Sequence, residues 1–213
     1  MLKIDGITIT WLGHDSMKIK AVVAPTGASR VIYIDPFRLK EKEAADIVLI
    51  THEHYDHCSP EDVAKIAKKD TVVIGTTDVT PRFKGATRTI KAGDSVTIHG
   101  VTIEAVPAYN TNKKFHPRAS GWVGYIINIG GKRVYHAGDT DHIPEMESLK
   151  DIYVALVPIS GIYVMTAEEA AEAVNKIKPK VAVPMHYGSV VGTKADAERF
   201  KKLVKEPVKV EIL

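Results

Sequence analysis

Three imidazoles and a carboxylate fall within six consecutive positions of this chain, in Thr51-His52-Glu53-His54-Tyr55-Asp56-His57-Cys58. His52, His54, Asp56 and His57 are all residue types that ligate zinc, and no packing requirement concentrates them this way. The run before them, Asp46-Ile47-Val48-Leu49-Ile50, is short, apolar and β-branched, which predicts a buried strand. After them Ser59-Pro60-Glu61-Asp62 combines an N-cap residue, proline at the first helical position and acid in the first turn, which predicts a helix start. The cluster therefore sits on a loop leaving the C-terminal end of a strand, where open α/β sheets place their ligand sites. Ligand type and strand–loop–helix context agree independently, so the segment reads as a metal site rather than a polar surface loop.

His52 and His54 lie two apart at a strand exit and can point to the same side. They can chelate one ion, while Asp56 and His57, further round the turn, face a second. A helical zincin site needs histidines at i and i+4, and the spacing here differs from it. Glu53 alternates with the ligands and is expected to point away.

At this loop the chain resembles the metallo-β-lactamase superfamily, whose signature is H-x-H-x-D-H after a strand. Further matches follow in chain order: Asp35 after Val31-Ile32-Tyr33-Ile34, Asp139 in His136-Ala137-Gly138-Asp139-Thr140, and His186 in Val183-Pro184-Met185-His186-Tyr187-Gly188. The opening Trp11-Leu12-Gly13-His14-Asp15-Ser16 looks like the start of the small ascorbate-6-phosphate lactonase-like branch. The resemblance implies an αββα four-layer sandwich, with the metal loops converging at one edge. It also implies that His52 and His54 hold a first ion, that Asp56, His57 and His186 hold a second, that Asp139 bridges them, and that Asp35 supports the loop. One position departs from the pattern. The family's histidine after the strand Val101-Thr102-Ile103-Glu104-Ala105-Val106 is replaced by Pro107-Ala108-Tyr109-Asn110. Either His116 folds back into the ligand position, or Asn110 or water fills it.

Composition supplies the remaining bounds. At 213 residues, 45% hydrophobic and 26% charged, the chain is an ordinary α/β globular sequence and is expected to form one domain over 1–213. No apolar run approaches membrane-span length, and no basic-then-apolar leader opens it. The single cysteine, Cys58, excludes an internal disulfide, so cytoplasm is the expected location. A net charge of +3 with dispersed Lys and Arg does not indicate nucleic acid as a partner. Gln is absent and Asn occurs four times, a bias shared with thermophile chains.

The sequence pattern alone predicts mixed α/β structure. Strands are expected near 7–12, 16–23, 31–35, 46–51, 72–75, 87–90, 94–98, 101–106, 122–129, 132–136, 153–158, 181–184 and 208–212. Helices are expected near 60–69, 167–178 and 194–204, the second opened by the capping box Thr166-Ala167-Glu168-Glu169 and stopped by Pro179. Gly130-Gly131 predicts a two-residue hairpin.

The function expected is a metal-dependent hydrolase, in which a water activated by two divalent ions attacks an ester-like bond, a lactone or a phosphoester, in a small molecule. Zinc is the first expectation for the ions, and a His/Asp donor set also accepts manganese, iron, cobalt or nickel. Asp56 is expected to orient the attacking water. His14 is expected either to face substrate or to make a structural hydrogen bond, and His142, three residues past Asp139, to face substrate. His136 is expected to pack under the metal loop, Cys58 to be a small buried spacer, and Tyr109 and Tyr187 to be wall packing. The lactonase-like resemblance implies a homo-oligomer. The alternatives are a nuclease or phosphodiesterase of the same superfamily and a catalytically silent metal-binding protein.

Overall fold

The computed structural model describes residues 1–40 and 42–213. Two seven-stranded sheets run in chain order. The first contains β1 (Leu2–Ile4), β2 (Ile7–Gly13), β3 (Ser16–Val23), β4 (Ala28–Ile34), β5 (Ile47–Leu49), β6 (Val72–Gly75) and β7 (Ala86–Thr89). The second contains β8 (Ser95–Ile98), β9 (Val101–Pro107), β10 (Val123–Ile129), β11 (Lys132–His136), β12 (Ile152–Pro158), β13 (Val181–Met185) and β14 (Lys209–Val210). Each sheet begins as an antiparallel meander and ends in parallel strands, the change falling at β4–β5 in one and at β11–β12 in the other. Parallel strands need a crossover, and these crossovers carry the helices. Helix α1 (Pro60–Ile66) links β5 to β6, α2 (Ala167–Ile177) links β12 to β13, and α3 (Lys194–Leu203) links β13 to β14.

The facing sides of the sheets share one core that includes Ile9, Ile19, Ile32, Ile103, Tyr125 and Leu156, continuous with the cover of α2 and α3 on the second sheet. A smaller apolar cluster lies between the first sheet and α1, built from Tyr33, Val48, Ile50, Val63, Ile66 and Val73. Strand β5 shows why its residues are uninterruptedly apolar. Ile47 and Leu49 belong to the inter-sheet core while Val48 belongs to the α1 cluster, so both faces are dry. Each such side chain contributes roughly 1.5–3 kcal/mol on burial. That lets a three-residue strand anchor the loop that follows it. The layering is therefore the expected αββα sandwich.

Most predicted elements appear. The Thr166–Glu169 capping box closes in both directions, Ser59 accepts from the Asp62 amide, and Gly130 and Gly131 both take positive φ in the β10–β11 hairpin. Several elements differ from the expected bounds. Strand β1 was not predicted, because its three residues gain order only by pairing with β2. Helix α1 stops at Ile66 because Ala67 is extended, and the last strand shrinks to Lys209–Val210. Among the described residues no helix is long and apolar enough to cross a membrane.

Close backbone approach places the edge where the site forms. A Cβ at Gly124 would stand 2.6 Å from the Ala137 carbonyl oxygen and 2.7 Å from that of His136, so only glycine lets β10 lie against the chain entering Asp139. Tyr125 crosses from the second sheet to donate its hydroxyl to the Ile50 carbonyl at 2.7 Å, immediately before the histidine-rich loop.

Candidate metal centre

Loops leaving β2, β4, β5, β9, β11 and β13 meet at this edge. They bring together His14 and Asp15, Asp35, His52 to His57, His116, Asp139 and His186 from six separate parts of the chain. Three of these residues, His14, Asp35 and His186, hold positive φ without being glycine. Such conformations cost of order 1–3 kcal/mol each and persist where surrounding contacts over-determine them. Here the His14 carbonyl accepts both the Trp11 indole N–H at 2.7 Å and the His186 amide at 3.1 Å, joining the two sheets at the site.

Four overlapping groups of donors result, of which two contain most of the expected ligands. The ligand atoms of His52, His54 and His116 lie within 4.8 Å of one another, and so do those of Asp15, His57, Asp139 and His186. Asp139 stands between the groups: its Oδ2 is 3.0 Å from His116 Nε2, 3.3 Å from His186 Nε2 and 3.5 Å from His57 Nε2.

The rings are aimed from behind. His57 Nδ1 donates to Asp35 Oδ2 at 2.8 Å, and His186 Nδ1 meets Ser160 Oγ at 2.9 Å. Thr51 donates its hydroxyl to Asp35 Oδ2 at 2.6 Å, which leaves Thr51 Oγ1 to accept from His52 Nδ1 at 2.9 Å. His116 Nδ1 faces Asn110 Oδ1 at 3.1 Å and the Tyr163 carbonyl at 3.2 Å, both acceptors, so Nδ1 carries the proton. For His52, His57 and His116 the partner fixes the tautomer and leaves Nε2 facing inward, the arrangement that metal-ligating histidines adopt, while the Ser160 hydroxyl holds the His186 ring in place. Asn110 therefore does not replace the missing family ligand. It accepts the His116 amide at 2.9 Å as well, and so folds the loop back and presents the His116 ring beside His52 and His54.

The electrostatics divide along the same line. Burial, then the neighbouring rings of His57 and His116, keep His52 well below the ordinary imidazole range, and His54 is lowered for the same reasons. Burial opposes charge on His186 too, but Asp139 and Asp15 prevail and push it up to about 9. Asp139 is held well below the usual carboxylate range because His186 and His57 outweigh its burial. Asp15 goes the other way: burial pushes its carboxyl well up.

The donor set fits divalent ions. His57 Nε2, His116 Nε2, Asp139 Oδ1 and both carboxylate oxygens of Asp15 are buried without a hydrogen-bond partner among the described residues. Buried polar atoms of this kind cost about 1–3 kcal/mol each unless something satisfies them. Converging imidazole nitrogens and carboxylate oxygens are what zinc and manganese take.

Several expected residues fall elsewhere. Asp56 joins neither donor group; it lines the cleft, and its Oδ2 lies 3.1 Å from His14 Nε2. The left-handed turn at His14 delivers that ring to Asp56, so His14 is not substrate-facing: it is 1% exposed and lies outside the lining. Its nitrogens also come within 4.8 Å of those of His57 and His186. His142 is a correction. Thr140 and Asp141 are turned inward, Thr140 by the Met165 amide and Asp141 by Asn110 and Thr111. The chain then sends His142 into a separate depression with Glu172, Asn175, Lys176 and Lys205, away from the cleft.

Of the supporting residues, Glu53 pairs with Arg82 at the surface, away from the donors. His136 packs beneath the loop, donating to the Asp15 carbonyl at 2.9 Å. Burial raises the Cys58 thiol to about 11, which suits an inert spacer. Tyr109 binds Glu145 and Tyr187 stacks on Trp11, both outside the cleft lining. Sequence reasoning passed over Asp15, Ser160 and Trp122. Trp122 packs at 4.8–5.6 Å from the rings of His52, His54 and His116, and its indole N–H donates to Asp78 at 2.7 Å. The adjacency of Asp15 to His14 in a strand-end turn was the available signal.

Comparison with known proteins places this geometry. A profile described as a Beta-lactamase superfamily domain matches residues 8–186. The chain is 33% identical to a UPF0173 metal-dependent hydrolase of Pyrococcus abyssi, over 97% of this chain and 96% of that one. It superposes on a protein of Parabacteroides distasonis provisionally named a metal-dependent hydrolase, with a TM-score of 0.84 and 37% identity over 97% of this chain and 92% of the other. It also superposes on Igni18, a metallo hydrolase of Ignicoccus hospitalis, with a TM-score of 0.76 and 28% identity over 97% and 94% of the two chains. The chain belongs to the metallo-β-lactamase superfamily, among its UPF0173 metal-dependent hydrolases.

Proposed function

We propose that this metal-dependent hydrolase holds two divalent ions and cleaves an ester-like bond, a lactone or a phosphoester, in a small molecule. The observation that carries the reading is the position of Asp139 Oδ2, within 3.5 Å of a ring nitrogen from each donor group. His52, His54 and His116 would hold one ion, His57 and His186 the other, with Asp139 shared. Zinc is the first expectation, and the same donors suit manganese, iron, cobalt or nickel. Ions held there would supply an activated water near neutral pH and polarise the bond under attack.

The chain's own residues do the rest. Asp56 lines the cleft and, paired through one oxygen with His14, can take a proton from the attacking water at its other oxygen and return it to the leaving group. His14 positions Asp56. Trp122 and Phe115 wall the donors from bulk water. A small-molecule partner suits a cleft of about 210 Å³. The lone Cys58 is in keeping with a cytoplasmic setting and the resemblance with a homo-oligomer; neither nucleic acid nor membrane is expected as a partner.

The test is Asp139→Asn. Reconstituted wild-type protein should carry about two ions per chain and the variant one or none, with hydrolysis of p-nitrophenyl esters and phosphodiesters lost. Wild-type protein that takes up no transition metal from zinc- or manganese-containing buffer would end the proposal.

A further inference from the structure

The cleft over the donors has a chemistry of its own. Apart from the donors it is lined by Tyr55, Asp56, Phe115, Tyr163 and Val190, and no Lys or Arg lines it among the described residues. Tyr55 is 67% exposed and Phe115 48%, and Ile162 beside Tyr163 is 55% exposed. These are half of the exposed large hydrophobic residues described, the others being Met1, Val22 and Leu203. Exposed apolar side chains scattered singly need no explanation, but a group on the mouth of a reactive site marks a binding surface.

The wall is braced. Phe115 meets Tyr163 edge to face at 4.6 Å, and Tyr55 meets Phe37 at 6.0 Å, with the Arg38 guanidinium 4.8 Å from the far ring. Cations nearby are spoken for or outside the lining: Lys113 is held by Asp141 at 2.6 Å and Glu169 at 3.8 Å, and Lys114 is exposed next to Phe115. The non-reacting oxygens of a phosphate monoester carry charge that phosphate sites meet with Arg, Lys or helix N-termini. The lining here offers aromatic faces instead. A cleft of about 210 Å³ is smaller than sites that enclose a whole ligand, so it admits the reacting group while the remainder lies on the rim.

Resting on the hydrolase reading above, we infer that the substrate is an uncharged ester or lactone bearing an apolar chain, whose chain lies on Tyr55, Phe115 and Tyr163. A phosphate monoester finds no Lys or Arg in that lining among the described residues, so only the ions held by the donors would meet its charge, and the uncharged ester is preferred. A methylene fully removed from water is worth about fourfold in affinity, and one half-covered on an open rim about twofold.

The experiment uses zinc-loaded protein and two readouts. The first is kcat/KM for p-nitrophenyl acetate, butyrate, hexanoate and octanoate against p-nitrophenyl phosphate. The second is calorimetric binding of butyrate, hexanoate and octanoate against inorganic phosphate. At about twofold per methylene we expect kcat/KM to rise about 60-fold from acetate to octanoate and affinity about 16-fold from butyrate to octanoate. Tyr55→Ser with Phe115→Ser should flatten both slopes at unchanged metal content, and Lys114→Ala should alter neither slope. A flat series, a preference for the phosphate monoester over the octanoyl ester, or slopes untouched by the double variant would overturn the inference. So would a Phe115→Ser change in sedimentation with the slopes intact, which would assign the patch to contact between copies of the chain. Chain-length-dependent binding without turnover of any ester would sink the hydrolase reading while upholding the apolar subsite.

Discussion

Asn110 stands where the superfamily expects a ligand, and its replacement tests how the chain compensates. Its Oδ1 accepts the His116 amide at 2.9 Å and faces His116 Nδ1 at 3.1 Å, while its Nδ2 donates to Asp141 at 3.1 Å and to the Tyr163 carbonyl at 2.9 Å. In Asn110→Ala the Nδ1 proton keeps the Tyr163 carbonyl at 3.2 Å, but the buried His116 amide loses its acceptor. One orphaned buried donor costs about 1–3 kcal/mol. For a chain of this size about 2 kcal/mol lowers Tm by roughly 4–8 °C. Loss of the group that orients a metal-binding imidazole costs about 10–100-fold in metal affinity. Asn110→Asp separates the two effects. It retains an acceptor for His116 and should bind zinc more tightly than the alanine variant, yet it sets a second carboxylate against Asp141 and should melt lower than wild type. The assay is chelator competition for zinc, alongside thermal melts of the metal-free proteins. Zinc affinity within about threefold of wild type in Asn110→Ala, with the Tm loss present, would refute the claim that Asn110 aims His116.

Two further predictions concern stability. Asp62 accepts from the amides of Arg38 at 2.8 Å and Leu39 at 2.9 Å; burial raises its carboxyl, but the Lys65 and Ser59 hydrogen bonds and these amides prevail and hold it below its ordinary 3.8. A depressed folded value stabilises above the unfolded pKa and is lost as pH falls through the folded one, so Asp62→Asn should cost about 1–3 kcal/mol near pH 7 and much less near pH 2. Urea midpoints at both pH values check it, and an equal gap at both would count against it. Gly124→Ala drives a Cβ against two backbone carbonyls, at 2.6 and 2.7 Å, and should cost about 1–3 kcal/mol, a Tm drop of at least roughly 2 °C. A melt indistinguishable from wild type would show that β10 and the chain before Asp139 can part without cost.

Local chemistry carried much of this protein. The strand before His52, the N-cap at Ser59, the capping box at Thr166 and the Gly130-Gly131 hairpin depend on residues within a few positions of one another, where backbone sterics and short hydrogen bonds decide the outcome. The donors His52, His54, His57, Asp139 and His186 were legible for a related reason: imidazole and carboxylate at strand exits have few other uses. Pairings over long separations were not. His14 and Asp56 are 42 positions apart and Asn110 reaches Tyr163 across 53, so neither contact exists until distant strands of one sheet align, and loops of the two sheets meet only when the sheets pack face to face. Only that packing decided that His116 and not Asn110 joins His52 and His54, that Asp15 turns inward among the donors, and that His142 faces another surface. Residue type names what a side chain can bind; which side chains share a centre is set by how two sheets close over a common core.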